Sequence, residues 1–124
     1  MILIKEYMIM IIKKSQCTPD VRPNMKGGDG EAIVTEFVTS KELNEKGRLF
    51  GKIRLEPGSS IGYHVHEGES ELFYVLEGVA TYNDNGEVYE ATAGDTLVVS
   101  SGNGHSIATR GTEPLEVIAL IVYA

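Results

Sequence analysis

Three histidines and one glutamate carry the chemistry that can be read in this chain. His64 and His66 stand two residues apart in Gly62-Tyr-His-Val-His-Glu67, a spacing that puts both rings on one face of a β-strand. Glu71 follows a polar, glycine-containing link, Glu67 to Ser70, and heads the run Leu72-Phe-Tyr-Val-Leu76, which reads as the next strand. His105 lies well downstream in Gly102-Asn-Gly-His-Ser-Ile107. The chain holds 3 histidines, and all of them fit one site. Three imidazoles and a carboxylate suit one divalent transition metal: iron, manganese, nickel, cobalt, copper or zinc. A tetrahedral or octahedral shell would keep a position for water or substrate. One carboxylate on a divalent ion leaves the site net positive, which favours small anionic ligands such as carboxylates or enolates. Taken singly, each residue is unremarkable: a lone histidine is usually a core or surface residue, and Glu71 could be a solvated edge carboxylate. The joint pattern, with every histidine in it, is what points to a metal.

The four donors are spread along the chain, so only tertiary structure can gather them. The elements that must do so read as strands. Ala32 to Thr39 alternates, and Leu49, Gly51, Ile53 and Leu55 share one face of a second strand, opposite Phe50, Lys52 and Arg54. Pro57-Gly58 turns the chain into the histidine segment. Val79 to Tyr82 and Glu87 to Thr92 flank Asp84-Asn85-Gly86, a hairpin turn in which Asn-Gly tolerates positive φ. Thr96 to Ser100, His105 to Thr109 and Leu115 to Tyr123 complete the series. Ser40 to Gly47 is a helical turn or a loop. Many short strands separated by the turns of a chain with 14 glycines predict an all-β fold, a sandwich or closed barrel.

At 124 residues the chain is one domain, with residues 1–31 as an N-terminal strand and arm and residues 32–124 as the barrel. Met1 to Ile12 is apolar but interrupted by Lys5 and Glu6, closed by Lys13-Lys14 and followed by no small-residue cleavage site, so it reads as a strand rather than a signal peptide. It is too short to span a bilayer, and Met8 and Met10 offer later natural starts. Residues 15–31, with Pro19, Pro23, Gly27, Gly28 and Gly30, read as a loop or extended arm. Gly28-Asp29-Gly30 lacks the strand and helix that a phosphate-binding glycine loop requires. The net charge of -7 argues against nucleic acid and anionic membranes as partners. The single cysteine, Cys17, excludes an internal disulfide and suits a reducing, cytoplasmic setting.

The spacing of these residues resembles a known family. Gly58, five residues, His64-x-His66, four residues, Glu71, six residues and Gly78 is similar to the first cupin motif throughout. Gly94, five residues, Ser100-x-Gly102, two residues and His105 resembles the second. Ser100 stands where the family usually has proline and Thr109 where it usually has asparagine; neither is a ligand there. The resemblance, to small single-domain cupins, implies an antiparallel double-stranded β-helix, or jelly-roll, barrel of two sheets with the metal near one open end. It implies His64, His66, Glu71 and His105 as the ligands. It does not imply one chemistry, because similar folds host dioxygenases, decarboxylases, isomerases, lyases and non-catalytic modules.

Two functions follow. One is a metal-dependent enzyme of dioxygenase, isomerase or lyase type on a small anionic metabolite. The other is a non-catalytic small-molecule-binding or sensing module. The sole cysteine, Cys17, lies outside the motif region, which argues against cysteine-nucleophile chemistry. Phe73 and Val75 share the face of Glu71 and are expected at an apolar pocket floor; Ile107 and Thr109 share the face of His105. Tyr63, Tyr82 and Arg54 are candidates to present polar groups to a substrate. The strand after Glu71 is apolar on its other face too, at Leu72, Tyr74 and Leu76, as are Ile118, Leu120 and Val122. Apolar outer faces need a cover, which predicts a homodimer packed sheet on sheet, its N-terminal strand pairing with the partner's sheet edge.

Overall fold

The computed structural model describes residues 11–124 and, in the N-terminal segment, the backbone of β1 (Leu3–Ile4) and β2 (Tyr7–Met8). These two pairs of residues form an antiparallel ladder with each other rather than one continuous strand. The remainder of the N-terminal strand expected over residues 1–12, and its role in covering a sheet, lies outside the described residues.

Ten further strands follow: β3 (Asp20–Pro23), β4 (Glu31–Glu36), β5 (Gly47–Leu55), β6 (Ser60–Val65), β7 (Glu69–Glu77), β8 (Val79–Asp84), β9 (Glu87–Thr92), β10 (Thr96–Val99), β11 (Gly104–Thr109) and β12 (Leu115–Tyr123). They build two antiparallel sheets, a six-stranded one in the order β10-β7-β12-β5-β4-β3 and a four-stranded one in the order β6-β11-β8-β9. This is the expected jelly-roll barrel. No α-helix occurs among the described residues, and none is long and apolar enough to cross a membrane. Alternation decides the inner faces. Leu49, Ile53 and Leu55 of β5 are buried, as are Phe73 and Val75 of β7 and Val117 and Ile121 of β12. They meet Ile61, Tyr82 and Ile107 from the smaller sheet in one core.

Turn chemistry fixes the register. Asn85 and Gly86 both take positive φ, 56° and 99°, and Asp84 pairs with Glu87 across the turn, as the Asn-Gly signal requires. Ser40 to Lys46 is a series of turns leading into β5, with Leu43 N–H donating to Ser40 O and Lys46 N–H to Leu43 O. Residues 15–31 differ from the loop or arm expected. They contain β3, paired with β4 at the edge of the large sheet, and short 3-10 turns at Lys14–Gln16 and Met25–Gly27. Two prolines flank or end β3, which an edge strand tolerates because its outer side needs no ladder hydrogen bonds. The loop after β3 lies against β6. A Cβ on Gly62 would run into Lys26 O, and one on Gly28 into Ser60 O, so the two glycines let loop and strand touch backbone to backbone. This contact is built next to His64.

Candidate metal centre

β6 and β11 are neighbours in the small sheet, and His64 and His105 are direct partners across the ladder. Cross-strand partners share a face, so both rings enter the barrel together. His66 sits just past the end of β6, held by its N–H to Asn103 O (3.1 Å) and by Gly102 N–H to its own carbonyl (2.6 Å). Glu71 comes from β7 in the opposite sheet. The structure thus brings all four sequence-predicted ligands to one point.

The three Nε2 atoms form a nearly equilateral triangle: 3.1 Å from His64 to His66, 3.1 Å from His66 to His105 and 3.2 Å from His105 to His64. Glu71 Oε1 lies 3.1 Å from both His66 Nε2 and His105 Nε2. All four candidate ligand atoms fall within 4.8 Å of one another. Donors about 2.0–2.2 Å from a common ion, at tetrahedral or octahedral angles, stand roughly 2.8–3.6 Å apart, and the cluster matches that edge length.

The outer partners of the rings support the same reading. His64 Nδ1 is 2.7 Å from Gly62 O, which can only accept, so the proton sits on Nδ1 and Nε2 carries a lone pair. His66 Nδ1 is 3.3 Å from Glu69 Oε1. Glu69 in turn accepts two bonds from Arg48, to Nε at 2.6 Å and Nη2 at 2.8 Å. Those bonds hold its carboxyl below the usual range, so it too accepts from His66. His105 Nδ1 is 2.9 Å from the Tyr82 hydroxyl, which can accept its proton. Burial, with the negative charges of Asp84 and Glu71, raises the Tyr82 phenol and keeps it neutral. In the neutral form of each ring Nδ1 carries the proton, so three nitrogen lone pairs and a carboxylate oxygen converge. That arrangement is repulsive unless a cation sits among them, so the donor set fits a divalent metal.

The protonation preferences agree in part. Burial pushes His64 down, towards the neutral form that ligates. The hydrogen bond to Glu71 raises His66 against its burial. Burial pushes Glu71 up, but its contacts with His105 and His66 together outweigh that and hold it ionised. The metal-free cluster therefore keeps a proton near His66 and Glu71, which a metal must displace.

Of the other sequence candidates, Phe73 stacks on His105, with ring centroids 5.3 Å apart and planes within 6°. Phe73, Val75 and Ile107 are buried in the core, but Phe73 and Val75 do not line the cavity as a pocket floor. Thr109 takes over a local side-chain bond, accepting from Gly58 N–H at 2.9 Å. Tyr63 points away from the cluster and packs its ring on Gly104. Arg54 is occupied with Glu56 and Glu116. Tyr82 stands behind His105 rather than facing a substrate. Glu69 and Arg48 were not anticipated from sequence, although Glu69 lies two residues before Glu71 and so on the same strand face.

His64, His66 and Glu71 line a cavity of about 220 Å³, together with Arg22, Lys26, Glu36, Arg48 and Glu69. Two antiparallel sheets closed around a three-histidine, one-glutamate cluster beside such a cavity define the cupin class, and a cupin-domain family model matches residues 51–123; the chain belongs to the cupin family. Within it, the chain is 40% identical over 118 residues to an oxalate-binding protein of Thermotoga maritima, covering 95% of this chain and 98% of that one. A predicted oxalate decarboxylase from Thermotoga maritima, known by crystal structure, superposes with a TM-score of 0.89 at 39% identity, covering 93% of this chain and all 100% of the other. A polyketide cyclase of Streptomyces resistomycificus shares the fold at a TM-score of 0.74 and 18% identity, over 94% of this chain and 80% of that one.

Proposed function

We propose that this chain is a metal-dependent cupin that binds a small carboxylate anion of the oxalate type and acts on it as an enzyme of lyase type. His64, His66, Glu71 and His105 hold one divalent ion, which supplies an electrophilic anchor for a carboxylate oxygen. The observation that carries the reading is the convergence of four candidate metal donors beside a cavity of only about 220 Å³. Ligand sites are commonly about 300–1,000 Å³, so this one suits a molecule of few heavy atoms. The name of the Thermotoga maritima oxalate-binding relative supports the same ligand class.

Loss of CO2 from an oxalate monoanion leaves formate only if a proton reaches carbon. Glu69, held ionised by Arg48, is poorly suited to deliver it. Glu36 is the carboxyl at the cavity that forms no ion pair among the described residues. Its exposure favours a second reading, in which the chain binds the anion and does not transform it. Protein prepared without a nickel column should carry one metal per chain, and His64→Ala/His105→Ala should carry none. Calorimetry with oxalate then tests binding, and formate release tests turnover. Full stoichiometric metal in the double variant would sink the ligand assignment; binding without formate would select the second reading.

We also read the protein as a cytoplasmic homodimer. The outer face of the large sheet supports this, with Tyr74 at 46%, Leu76 at 43% and Val98 at 51% exposure, more apolar surface than a solvated sheet needs.

A further inference from the structure

We propose that Arg22 is the specificity-determining cation of the cavity: its guanidinium takes the far carboxylate of a small dicarboxylate whose near carboxylate lies at the His/Glu cluster. This rests on the reading of that cluster as a metal site for a small anion. β3 is the edge strand of the large sheet, and Arg22 pairs directly with Ala32 of β4. Ala32 is fully buried in the core. Cross-strand partners point to one face, so Arg22 is directed inward, and it lines the same cavity as His64, His66 and Glu71.

Its hydrogen bonding leaves the useful end free. Asp20, two residues earlier on the same face, accepts from Arg22 Nε at 2.8 Å. No acceptor among the described residues engages the terminal Nη1 and Nη2 groups. Asp20 thus positions the guanidinium while leaving a planar pair of donors for a carboxylate, the geometry that arginine recognises and lysine does not. The cavity's other arginine is spent, since Arg48 gives both Nε and Nη2 to Glu69. Lys26 lies exposed on the loop beside β6, at the rim. With the side chain of Arg22 39% exposed, its charge needs little dehydration to reach a ligand.

A divalent ion compensated by Glu71 at one wall, and the free terminal donors of Arg22, paired through Nε with Asp20, at another, give two separated anion-binding centres. They match a dianion and leave one centre unused by a monocarboxylate, which is the basis for discrimination. The test uses full-length, manganese- or zinc-loaded protein whose metal content is measured, titrated calorimetrically with oxalate and with acetate. Arg22→Gln should keep full metal and unchanged acetate binding while weakening oxalate about 10- to 100-fold, as for losing a charge-assisted pair. Arg22→Lys, which keeps charge but not the fork, should fall between. The lysine variant also serves if the glutamine variant does not fold. Oxalate binding in both variants equal to wild type overturns the role of Arg22 while leaving the anion site standing. An equal loss for oxalate and acetate overturns it too, because it would show a general charge effect. A metal-loaded wild type that binds neither anion overturns the anion reading, and this proposal with it.

Discussion

Replacing Tyr82 by Phe removes one oxygen and isolates one proton. In the wild-type protein His105 Nδ1 faces the Tyr82 hydroxyl at 2.9 Å, with His105 1% and Tyr82 3% exposed. Water cannot replace the lost hydroxyl, because the hole left is smaller than a water molecule. Without a metal, the variant has an escape: His105 moves its proton to Nε2 and donates to Glu71 Oε1, 3.1 Å away. A bound metal closes that escape, since Nε2 must then offer a lone pair and the proton returns to Nδ1 with nothing to accept it. The penalty therefore falls on the loaded state. A buried donor left unpaired costs about 1–3 kcal/mol, which is about 5- to 150-fold in affinity. Outer partners of metal-bound histidines are worth about 10- to 100-fold, and the depth of burial here favours that range over the lower end. Competition with a chromophoric chelator at neutral pH measures the affinity, and thermal unfolding of metal-free protein measures the fold. The expected result is weakened metal binding with a nearly unchanged metal-free melting temperature. Wild-type metal affinity in Tyr82→Phe would refute the argument that Tyr82 fixes the tautomer of His105.

Metal affinity should rise with pH. His66 is raised in the metal-free protein by its hydrogen bond to Glu71, so that pairing stabilises the metal-free fold fully below the ordinary imidazole value of about 6.5 and is lost as pH climbs through the raised value. Loading displaces that proton, so occupancy should fall as the solution is acidified; calorimetry in buffers of different ionisation enthalpy should show proton release, and an affinity independent of pH would contradict it. Gly62→Ala should push the Met25–Gly27 turn off β6, because its Cβ would meet Lys26 O. We expect about 1–3 kcal/mol of lost stability, read by urea unfolding, and an unchanged midpoint would show that the loop contact is dispensable. Tyr74→Glu places a charge on the exposed outer face of the large sheet. Light scattering at micromolar concentration should show a dimer for the wild type and a weaker one for the variant, whereas a monomeric wild type would end the dimer reading.

The candidate ligand set was legible because histidine is scarce here and its spacing on strands is restrictive. An i, i+2 pair on β6 has only one face to occupy, and the glycines at 58, 78, 94 and 102 all take positive φ where the motif spacing puts them. The strands were legible where alternation was clean, as on β5 and β12, whose inner residues are buried at every second position. β3 was not. It has four residues, two of them charged and one a proline, and charge and proline are the features by which an edge strand discourages further pairing. The same residues read in isolation describe a loop. Arg22 was hidden with it, because only pairing with β4 turns that side chain towards the cavity.

The partners of the ligands were hidden for a different reason, which bears on how this site holds its geometry. Tyr82 reaches His105 diagonally: Ile107 is its direct partner across β8 and β11, and His105 sits opposite Asp84. Diagonal neighbours two residues apart are within reach of an aromatic side chain, but only in this register. A slip by one residue would turn Tyr82 outward and strip His105 of its partner at once. The Asn85-Gly86 hairpin that sets the β8–β9 register, and the backbone bond from Asn85 N–H to Gly104 O at 2.9 Å that ties this turn to β11, therefore act on the candidate metal centre from outside it. The tautomer of a candidate ligand is fixed by strand register, strand register by turn chemistry, and turn chemistry by two residues that are not among the candidate ligands.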